Sequence, residues 1–315
     1  MRTHIALIYN PVAGSARTRR KLDPIIFELN NLGVEINLLE TTGPGQARSL
    51  AEGAIGQSPD ALVIAGGDGT VSEAAGVLKG KQIPFAVIPT GTINLLAREL
   101  TLPPRPADMA RLIAFGPVRR IYPGFIGDKM FLVVAGVGFD ALAIRKVSLR
   151  LKRIIGRWAY AVAAVKLFTA WKSPPYAIRT ESTKKTVAGL AVANGLYYAG
   201  PFSWTGEASV FKPGSYVCLF KRFGRLGVIR TLAALLLNRV ARTKTVSIIE
   251  AATIRILEPV GDPVHGDGDI VATVPATISS SSEPLMVIAP EPPPVRPGND
   301  IGRHKTSGAP FDKGR

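Results

Sequence analysis

The sequence predicts an N-terminal doubly wound α/β domain with a mostly parallel sheet, followed by a second domain that is mostly β. Strand and helix signals alternate through residues 1–117 with the spacing of βαβ units. The strands of this part are uniformly apolar, which indicates a sheet covered on both faces. After Gly116 and Pro117 the pattern changes to short runs rich in Val, Ile, Phe and Tyr, broken by Gly, Pro, Asp and Ser. A chain of 315 residues is long enough to bury two cores.

The first domain should contain four strands, each followed by a helix. Ser15 can cap the first helix, which we expect to run to Asn31, and short loops separate the later elements. The expected strands are IALIYN, VEINLLE, ALVIAGG and FAVIP, and the later helices span residues 46–55, 71–78 and 93–100, with a short helix after LPPRPAD.

The second domain is expected to span residues 118–290, and residues 291–315 should form a disordered tail. The tail holds too little apolar surface to offset the entropy lost on ordering. The strands expected in the second domain are MFLVVAGVGF, YAIRT, TVAGLAVANG, YVCLFKR, SIIEAATIRIL, IVATVPATI and PLMVIAP.

Two basic segments account for nearly the whole formal charge of +16. Eight Lys and Arg residues lie between Ile144 and Lys172, and seven lie between Lys221 and Lys244, with no acidic residue in either segment. Such segments favour an anionic partner, a lipid surface or nucleic acid, although they are equally compatible with two solvated helix faces. In residues 225–242 one helical face carries six apolar residues, and a helix that packs on the core or lines a cleft is at least as consistent with them as one that lies on a membrane. These six are Val228, Ile229, Leu232, Leu235, Leu236 and Val240.

The lack of a recognisable targeting signal and the single cysteine indicate a cytoplasmic protein. Cys218 cannot form an internal disulfide, which suits a reducing compartment. The N-terminus lacks the apolar stretch of a secretory signal, and the longest uncharged stretch, residues 186–206, is interrupted by Gly and Pro. We therefore expect contact with the inner face of a membrane at most, without a spanning helix; whether the chain forms a homodimer is left open.

The clearest functional signal is GGDGT at residues 66–70, which ends the buried strand ALVIAGG. In a parallel sheet, ligands bind outside the carboxyl ends of the strands. The glycines let backbone amides approach a polyphosphate, and the N-terminus of the following helix favours negative charge. Asp68 would repel phosphate directly, so we expect it to act on a nucleotide through Mg²⁺ or ordered water.

Two further glycine-containing loops should leave the same edge of the sheet. NPVAG (10–14) follows the first strand, and PTGTIN (89–94), which includes Gly91, follows the fourth. The convergence of three such loops favours a nucleotide site over ordinary turns. The short polar side chains in these loops are Asn10, Thr70, Thr90, Thr92 and Asn94.

Other phosphate-binding motifs are absent or weak. The sequence has no GxxxxGK[ST], which excludes a P-loop enzyme. GVGFDA at 136–141 matches GxGxxA, but it lies in the β-rich half and no acidic residue ends a second strand about twenty positions later. We therefore do not interpret it as a dinucleotide site.

NPVAG, GGDGTVSE, IPTGTINLLAREL, GVGFDA and HGDGDI, in this order, resemble the diacylglycerol kinase catalytic family, which includes sphingosine kinases and bacterial soluble lipid kinases. The resemblance covers residues 4–290; GGDGT alone also occurs in NAD kinases and phosphofructokinases. It implies a nucleotide-binding α/β domain, a β-sandwich second domain, ATP and Mg²⁺ in the cleft between them, and phosphorylation of a lipid hydroxyl in lipid metabolism.

By this resemblance, a run of residues at the three loops would contact ATP, with Asp68 as a metal ligand. The residues carried over by motif are Asn10, Pro11, Val12, Ala13, Gly14, Thr41, Gly66, Gly67, Asp68, Gly69, Thr70, Val71, Ser72 and Thr92, to which the loop PTGTIN adds Thr90, Gly91 and Asn94.

The family's catalytic base is the glutamate of an Asp-Gly-Glu motif, which reads Asp267-Gly268-Asp269 here. Asp269 aligns with that glutamate and is the first candidate for the base, with Asp267 second. In an extended chain the two carboxylates and His265 would face the same side. The shorter aspartate side chain matters, because a displacement of ~1 Å can cost about a hundredfold in rate. Taken alone, HGDGD also fits a tight turn.

Three functions therefore remain in view. The first is an ATP-dependent lipid kinase acting on a diacylglycerol- or sphingosine-like lipid. The second is a GGDGT kinase acting on NAD or another small molecule, against which PTGTIN and the late acidic pair argue. The third is a nucleotide- or lipid-binding protein that has lost catalysis. Nucleic acid is not an expected partner, because the basic segments form no recognisable binding module.

Overall fold

The computed structural model describes residues 1–11, 17–43, 45–146, 175–181, 183–198, 200–221, 225–237, 239–240 and 243–291. Three six-stranded sheets and seven helices occupy these residues. Most of the basic segment between Ile144 and Lys172 and nearly all of the expected tail lie outside this description.

The first sheet is mostly parallel and has helices on both faces, which confirms the predicted doubly wound domain. Its spatial order is β2-β1-β3-β4-β18-β5, and only β5 runs antiparallel to its neighbour. The strands are β1 His4–Tyr9, β2 Glu35–Glu40, β3 Ala61–Gly66, β4 Phe85–Pro89, β5 Val118–Ile121 and β18 Leu285–Ile288.

Successive residues of these strands face two separate cores, which explains their continuous apolar character. Ile5 and Leu7 face α1 and α5, whereas Ala6 and Ile8 face α2, α3 and α4. The helices are α1 Arg17–Asn31, α2 Gln46–Ile55, α3 Asp68–Ala75, α4 Leu95–Glu99 and α5 Pro106–Phe115, and a short 3₁₀ helix, Gly76–Leu78, follows α3.

The other two sheets form a sandwich. The second sheet has the order β10-β9-β14-β17-β6-β7 and the third has the order β13-β12-β11-β8-β15-β16. A core that includes Phe131, Tyr176 and Leu190 lies between them. The strands of the second sheet are β6 Gly124–Ile126, β7 Lys129–Phe131, β9 Tyr176–Arg179, β10 Lys184–Val187, β14 Thr253–Glu258 and β17 Ala276–Ser280. Those of the third are β8 Val134–Val137, β11 Gly189–Ala193, β12 Tyr216–Phe220, β13 Val246–Glu250, β15 Pro263–Gly266 and β16 Asp269–Thr273.

The strand expected in PLMVIAP, and a strand at 118–121 that the sequence analysis did not predict, lie in the first sheet and not in the sandwich. Val118–Ile121 and Leu285–Ile288, both placed in residues 118–290 by sequence, complete the first sheet. Leu285–Ile288 is apolar, whereas Val118–Ile121 contains two arginines, and periodicity alone does not show which sheet takes up either segment. The chain therefore enters the sandwich from the first sheet and returns to it, which ties the two halves together by two covalent crossings.

The outer face of the third sheet carries α6, Phe139–Lys146, and α7, Arg225–Leu236. The single apolar face expected for residues 225–242 is divided in the structure. Val228, Leu235 and Val240 are buried, whereas Ile229, Leu232 and Leu236 are exposed. Cys218 is buried beneath α7, and burial raises the pKa of its thiol to about 12. None of the described helices has both the length and the hydropathy needed to cross a membrane.

Candidate functional site

The three glycine-containing loops meet at the carboxyl edge of the first sheet. The Asn10 side-chain amide lies 3.4 Å from the Thr70 hydroxyl, which places the first loop against the GGDGT segment. The Thr90 amide donates to the Gly66 carbonyl at 3.1 Å, which joins that segment to the third loop. Thr41 follows β2 and donates its amide to Tyr9 at 3.0 Å, so the end of β2 lies beside the same cluster.

Glycine is required where the second and third loops touch. A Cβ at Gly91 would lie 2.5 Å from the Gly67 Cα, and one at Gly66 would lie 2.7 Å from the Thr70 Cβ. The Asn94 side chain holds the third loop by accepting the Gly91 amide and donating to the Gly91 carbonyl, both at 2.9 Å. Asn94 therefore shapes the loop, with its side chain bonded to backbone.

Asp68 is the first residue of α3, so the helix begins three residues earlier than the sequence predicted. Its carboxylate accepts the Leu96 amide at 3.2 Å at the N-terminus of α4. Burial raises the Asp68 pKa to about 7, and the nearby charges of Asp267 and Asp269 add to the shift. An acidic group in this position gains from a cation, because a cation favours its charged form.

Asp267 is buried and its carboxylate is saturated with donors. It accepts the amides of Leu132, Val133 and Val134 at 2.6, 2.9 and 3.0 Å, and the Ser72 hydroxyl at 2.9 Å. Burial raises the Asp267 pKa, and these four donors oppose the shift. This side chain joins α3 of the first domain to β8 of the sandwich.

Asp269 is exposed and faces the GGDGT loop. A Cβ built on Gly69 would lie 2.2 Å from the Asp269 Oδ2, so only a glycine lets this carboxylate come so close. Within the described residues its carboxylate has no hydrogen bond or ion pair. The Asp269 carboxylate of the sandwich therefore faces the GGDGT loop of the first domain and is available for an interaction there.

The expectation that Asp267, Asp269 and His265 point together is wrong. Asp267 and Gly268 have φ values of +49° and +90° and form a tight turn between β15 and β16, so the chain is not extended there. The turn sends the Asp267 carboxylate inward and leaves Asp269 outside. The tight-turn interpretation is therefore correct, and of the two carboxylates it is that of Asp269 that lies against Gly69.

His265 instead pairs with Asp140 of the GVGFDA motif. Its Nε2 lies 2.9 Å from the Asp140 carboxylate, which the Tyr198 hydroxyl also approaches at 3.4 Å. The His265 Nδ1 is buried and, among the described residues, has no hydrogen-bond partner. Sequence reasoning missed this pairing, because 125 residues separate the two side chains.

The remaining predicted nucleotide contacts divide into three groups. Val71 is a core residue, with its side chain buried and its amide bonded to Gly67, so neither group is available to a ligand. The Thr90 Oγ1 is buried without a hydrogen-bond partner in the described part of the chain, whereas Thr92 is exposed. Pro11 is half-buried at the edge, and Val12, Ala13 and Gly14 lie outside the described residues.

Glu99 is a second link between the domains that the sequence did not reveal. It ends α4 and accepts the Tyr197 amide at 2.7 Å from the loop after β11. Burial raises the Glu99 pKa to about 7, and the amides of Tyr197 and Leu196 oppose the shift. The segment PTGTINLLARE therefore supplies a loop to the candidate site at one end and contacts the sandwich at the other.

The residues at this edge fit a nucleotide that carries a divalent cation. The glycine backbones, the N-terminus of α3 and the unpartnered Thr90 hydroxyl suit phosphate oxygens. Asp68 and Asp269 would repel phosphate without a cation between them. No group of three or more His, Cys, Asp or Glu side chains in the described residues could hold a metal alone. Mg²⁺ is usually held by one or two carboxylates together with substrate phosphates, and Asp68 would be such a ligand here.

Comparisons with known proteins agree with this architecture. Residues 4–126 match the model of the diacylglycerol kinase catalytic domain, and residues 133–289 match the model of the YegS C-terminal NAD kinase beta sandwich-like domain. A diacylglycerol kinase of Mycobacterium tuberculosis is 28% identical over 295 residues, which cover 91% of this chain and 95% of that protein. A diacylglycerol kinase of Staphylococcus aureus is 26% identical over 303 residues, covering 92% and 93%. The crystal structure of a diacylglycerol kinase from Bacillus anthracis aligns with a TM-score of 0.71 at 22% identity, covering 91% of this chain and 97% of that one. The chain therefore contains a diacylglycerol kinase catalytic domain followed by a YegS-type sandwich domain, and these matches, with the names of its relatives, support a lipid kinase.

Proposed function

We propose that this protein transfers the γ-phosphate of ATP to the hydroxyl of a diacylglycerol- or sphingosine-like lipid. The observation that carries the proposal is the position of Asp269, whose carboxylate lies against Gly69 of the GGDGT loop. Phosphate groups held by that loop and a hydroxyl presented from the sandwich would meet beside this carboxylate. The names of the relatives from M. tuberculosis and S. aureus support a lipid as the acceptor.

Asp269 is the proposed base, and Asp267 is a positioning residue. In the transfer, the lipid oxygen bonds to the γ-phosphorus, the bond from that phosphorus to its bridging oxygen breaks, and ADP leaves with the electron pair. The hydroxyl proton passes to a carboxylate, which must be free to accept it. Asp269 is exposed and has no partner among the described residues, whereas four donors already occupy Asp267.

Asp68 is the proposed protein ligand of the cation. It lies at the phosphate end of α3, fixed by the Leu96 amide, and it shares the site with Asp269. When bound, Mg²⁺ would neutralise the charge of the phosphates and of these two carboxylates. The backbone amides at the start of α3 and the Thr90 hydroxyl are the proposed phosphate donors.

The test compares Asp269→Asn with Asp267→Asn. Phosphorylation of lipid extracts by radiolabelled ATP should fall at least about 100-fold in kcat for Asp269→Asn, with ATP binding and thermal stability retained. Asp267→Asn should reduce stability as well, because its new amide would face three backbone donors. If the kcat of Asp269→Asn equals that of the wild type, Asp269 is not the base.

A second candidate acceptor is NAD, which the match of residues 133–289 to an NAD kinase beta sandwich-like model favours. A kinase assay that contains radiolabelled ATP, NAD and lipid extract distinguishes the two acceptors, because their labelled products migrate differently. Label found only in NADP would overturn the lipid proposal. ATP binding without transfer to either acceptor would identify a binding protein that has lost catalysis.

A further inference from the structure

Helix α7 exposes an unusually concentrated apolar surface. Eleven large apolar residues are exposed in the described part of the chain, and four of them lie within residues 229–237. We call these four the α7 outer face: Ile229, Leu232, Leu236 and Leu237, exposed to 51%, 42%, 62% and 65%. Scattered apolar residues are normal on a protein surface, but a contiguous group marks an interaction site.

The α7 outer face points away from the face that packs on the sandwich. Val228, Thr231, Ala234 and Leu235 are buried, at the spacing of one helical face over the third sheet. At 100° per residue, the four exposed side chains form a second stripe, whose centre lies about 140° around the helix from that of the buried one. The helix is thus apolar on two sides, although packing on the sheet requires only one.

Positive charge surrounds this stripe. Arg230 flanks it on the helix, Lys221 precedes the helix, and Arg239 and Lys244 follow it; all four are exposed. None of the four forms an ion pair with a described residue, and the sequence from 221 to 244 contains no acidic residue. Exposed leucines within a basic border match the interface of an anionic bilayer, where apolar side chains enter the acyl boundary and Lys and Arg meet the headgroups.

A second copy of the chain fits this surface less well. The exposed parts of the four side chains together amount to little more than two fully exposed residues, well short of the about 800 Å² that each partner contributes to a standard interface. Pairing two such surfaces would also bring their basic borders together without a compensating acid. An anionic bilayer needs no protein interface of standard size, and its charge is opposite to that of the basic border.

We propose that the α7 outer face docks the sandwich domain on an anionic lipid bilayer. Ile229, Leu232, Leu236 and Leu237 enter the interface, and Arg230, Arg239, Lys221 and Lys244 bind the headgroups. Docking on a bilayer goes beyond the proposed kinase activity, and it can be tested by measuring vesicle binding without any catalysis.

The test measures co-sedimentation with vesicles of phosphatidylcholine alone and of phosphatidylcholine mixed with phosphatidylglycerol. The wild type should bind the mixed vesicles more tightly, and added salt should weaken that binding. Leu236→Gln combined with Leu237→Gln should weaken it on the order of 50-fold, since two largely exposed leucines no longer enter the interface. Arg230→Gln should weaken it about five-fold on mixed vesicles and leave binding to neutral vesicles unchanged.

The matched control is Phe27→Gln on α1, which removes an apolar side chain of similar exposure, 63%, from another surface. Its vesicle binding should equal that of the wild type. Thermal melting checks folding, and if the double leucine variant unfolds, Arg230→Gln and the salt dependence decide the question. The proposal is overturned if the folded double variant binds mixed vesicles as the wild type does, or if Arg230→Gln has no effect on them. Sedimentation velocity showing a wild-type dimer that the double variant dissociates would assign this face to a second copy instead.

Discussion

The Ser72 hydroxyl donates a 2.9 Å hydrogen bond to the buried carboxylate of Asp267, across 195 residues of sequence. Ser72 lies on α3, whose first residue is Asp68, and Asp267 lies in the turn that carries Asp269. One hydrogen bond therefore connects the helix of the proposed phosphate site to the hairpin of the proposed base. It fixes the distance between the two sides of the cleft.

Ser72→Ala should lower the free energy of unfolding by about 2 kcal/mol, because it removes a buried hydrogen bond to a carboxylate. Asp267→Ala should cost more, about 4 kcal/mol, since it also leaves three backbone amides without their acceptor. Denaturant titration of both variants and of the double variant measures the coupling. Additive losses would show that the two side chains act independently.

Gly69→Ala should reduce catalysis without unfolding the protein. The added Cβ would lie 2.2 Å from the Asp269 Oδ2, and this exposed carboxylate can turn away at little cost in stability. Displacing the base by about 1 Å should lower kcat about 100-fold. The control is Gly53→Ala in α2, where an added Cβ has no neighbour within 4 Å. Equal kcat values for the two variants would contradict the proposed role of Asp269.

Thr90→Val should change stability and nucleotide binding in opposite directions. The Thr90 Oγ1 is buried without a partner in the described part of the chain, so replacing it by a methyl group should raise the free energy of unfolding by about 1 kcal/mol. If that hydroxyl binds phosphate, the KM for ATP should rise about fivefold. Thr231→Val is the contrast, because the Thr231 hydroxyl pairs with Thr245 at 3.1 Å and its loss should destabilise the protein without altering the KM. An unchanged KM in Thr90→Val would remove Thr90 from the site.

Glu99 should make stability depend on pH. Burial raises its folded-state pKa from 4.5 to about 7, so between these values the unfolded state has lost the proton that the folded state keeps. The free energy of unfolding should therefore fall as pH rises through this window, by up to about 3 kcal/mol from this residue. Glu99→Gln should flatten that part of the profile, whereas Glu35→Gln, at an exposed position on β2, should leave it unchanged. Parallel profiles for the wild type and Glu99→Gln would contradict this assignment.

Local patterns in the sequence predicted most of the fold. The apolar strands and their intervening helices predicted the doubly wound sheet, and α2 has the predicted bounds, Gln46–Ile55. Local patterns did not predict which sheet Val118–Ile121 and Leu285–Ile288 join. Those two strands are held by pairing at a sheet edge, β18 with β4 and β5 with β18, and no local pattern shows which edge a strand will join.

For the candidate site, the sequence by itself determined which backbone segments come to the edge of the first sheet. Glycine and short polar residues at the ends of parallel strands must meet there, because parallel strands end on one side. Only the tertiary structure decided what each side chain does: Asp267 joins the domains, Asp269 faces Gly69, and His265 pairs with Asp140. The physical reason is that these contacts join residues more than 100 positions apart, and a two-residue turn at Asp267 and Gly268 reverses the direction in which the neighbouring carboxylates point.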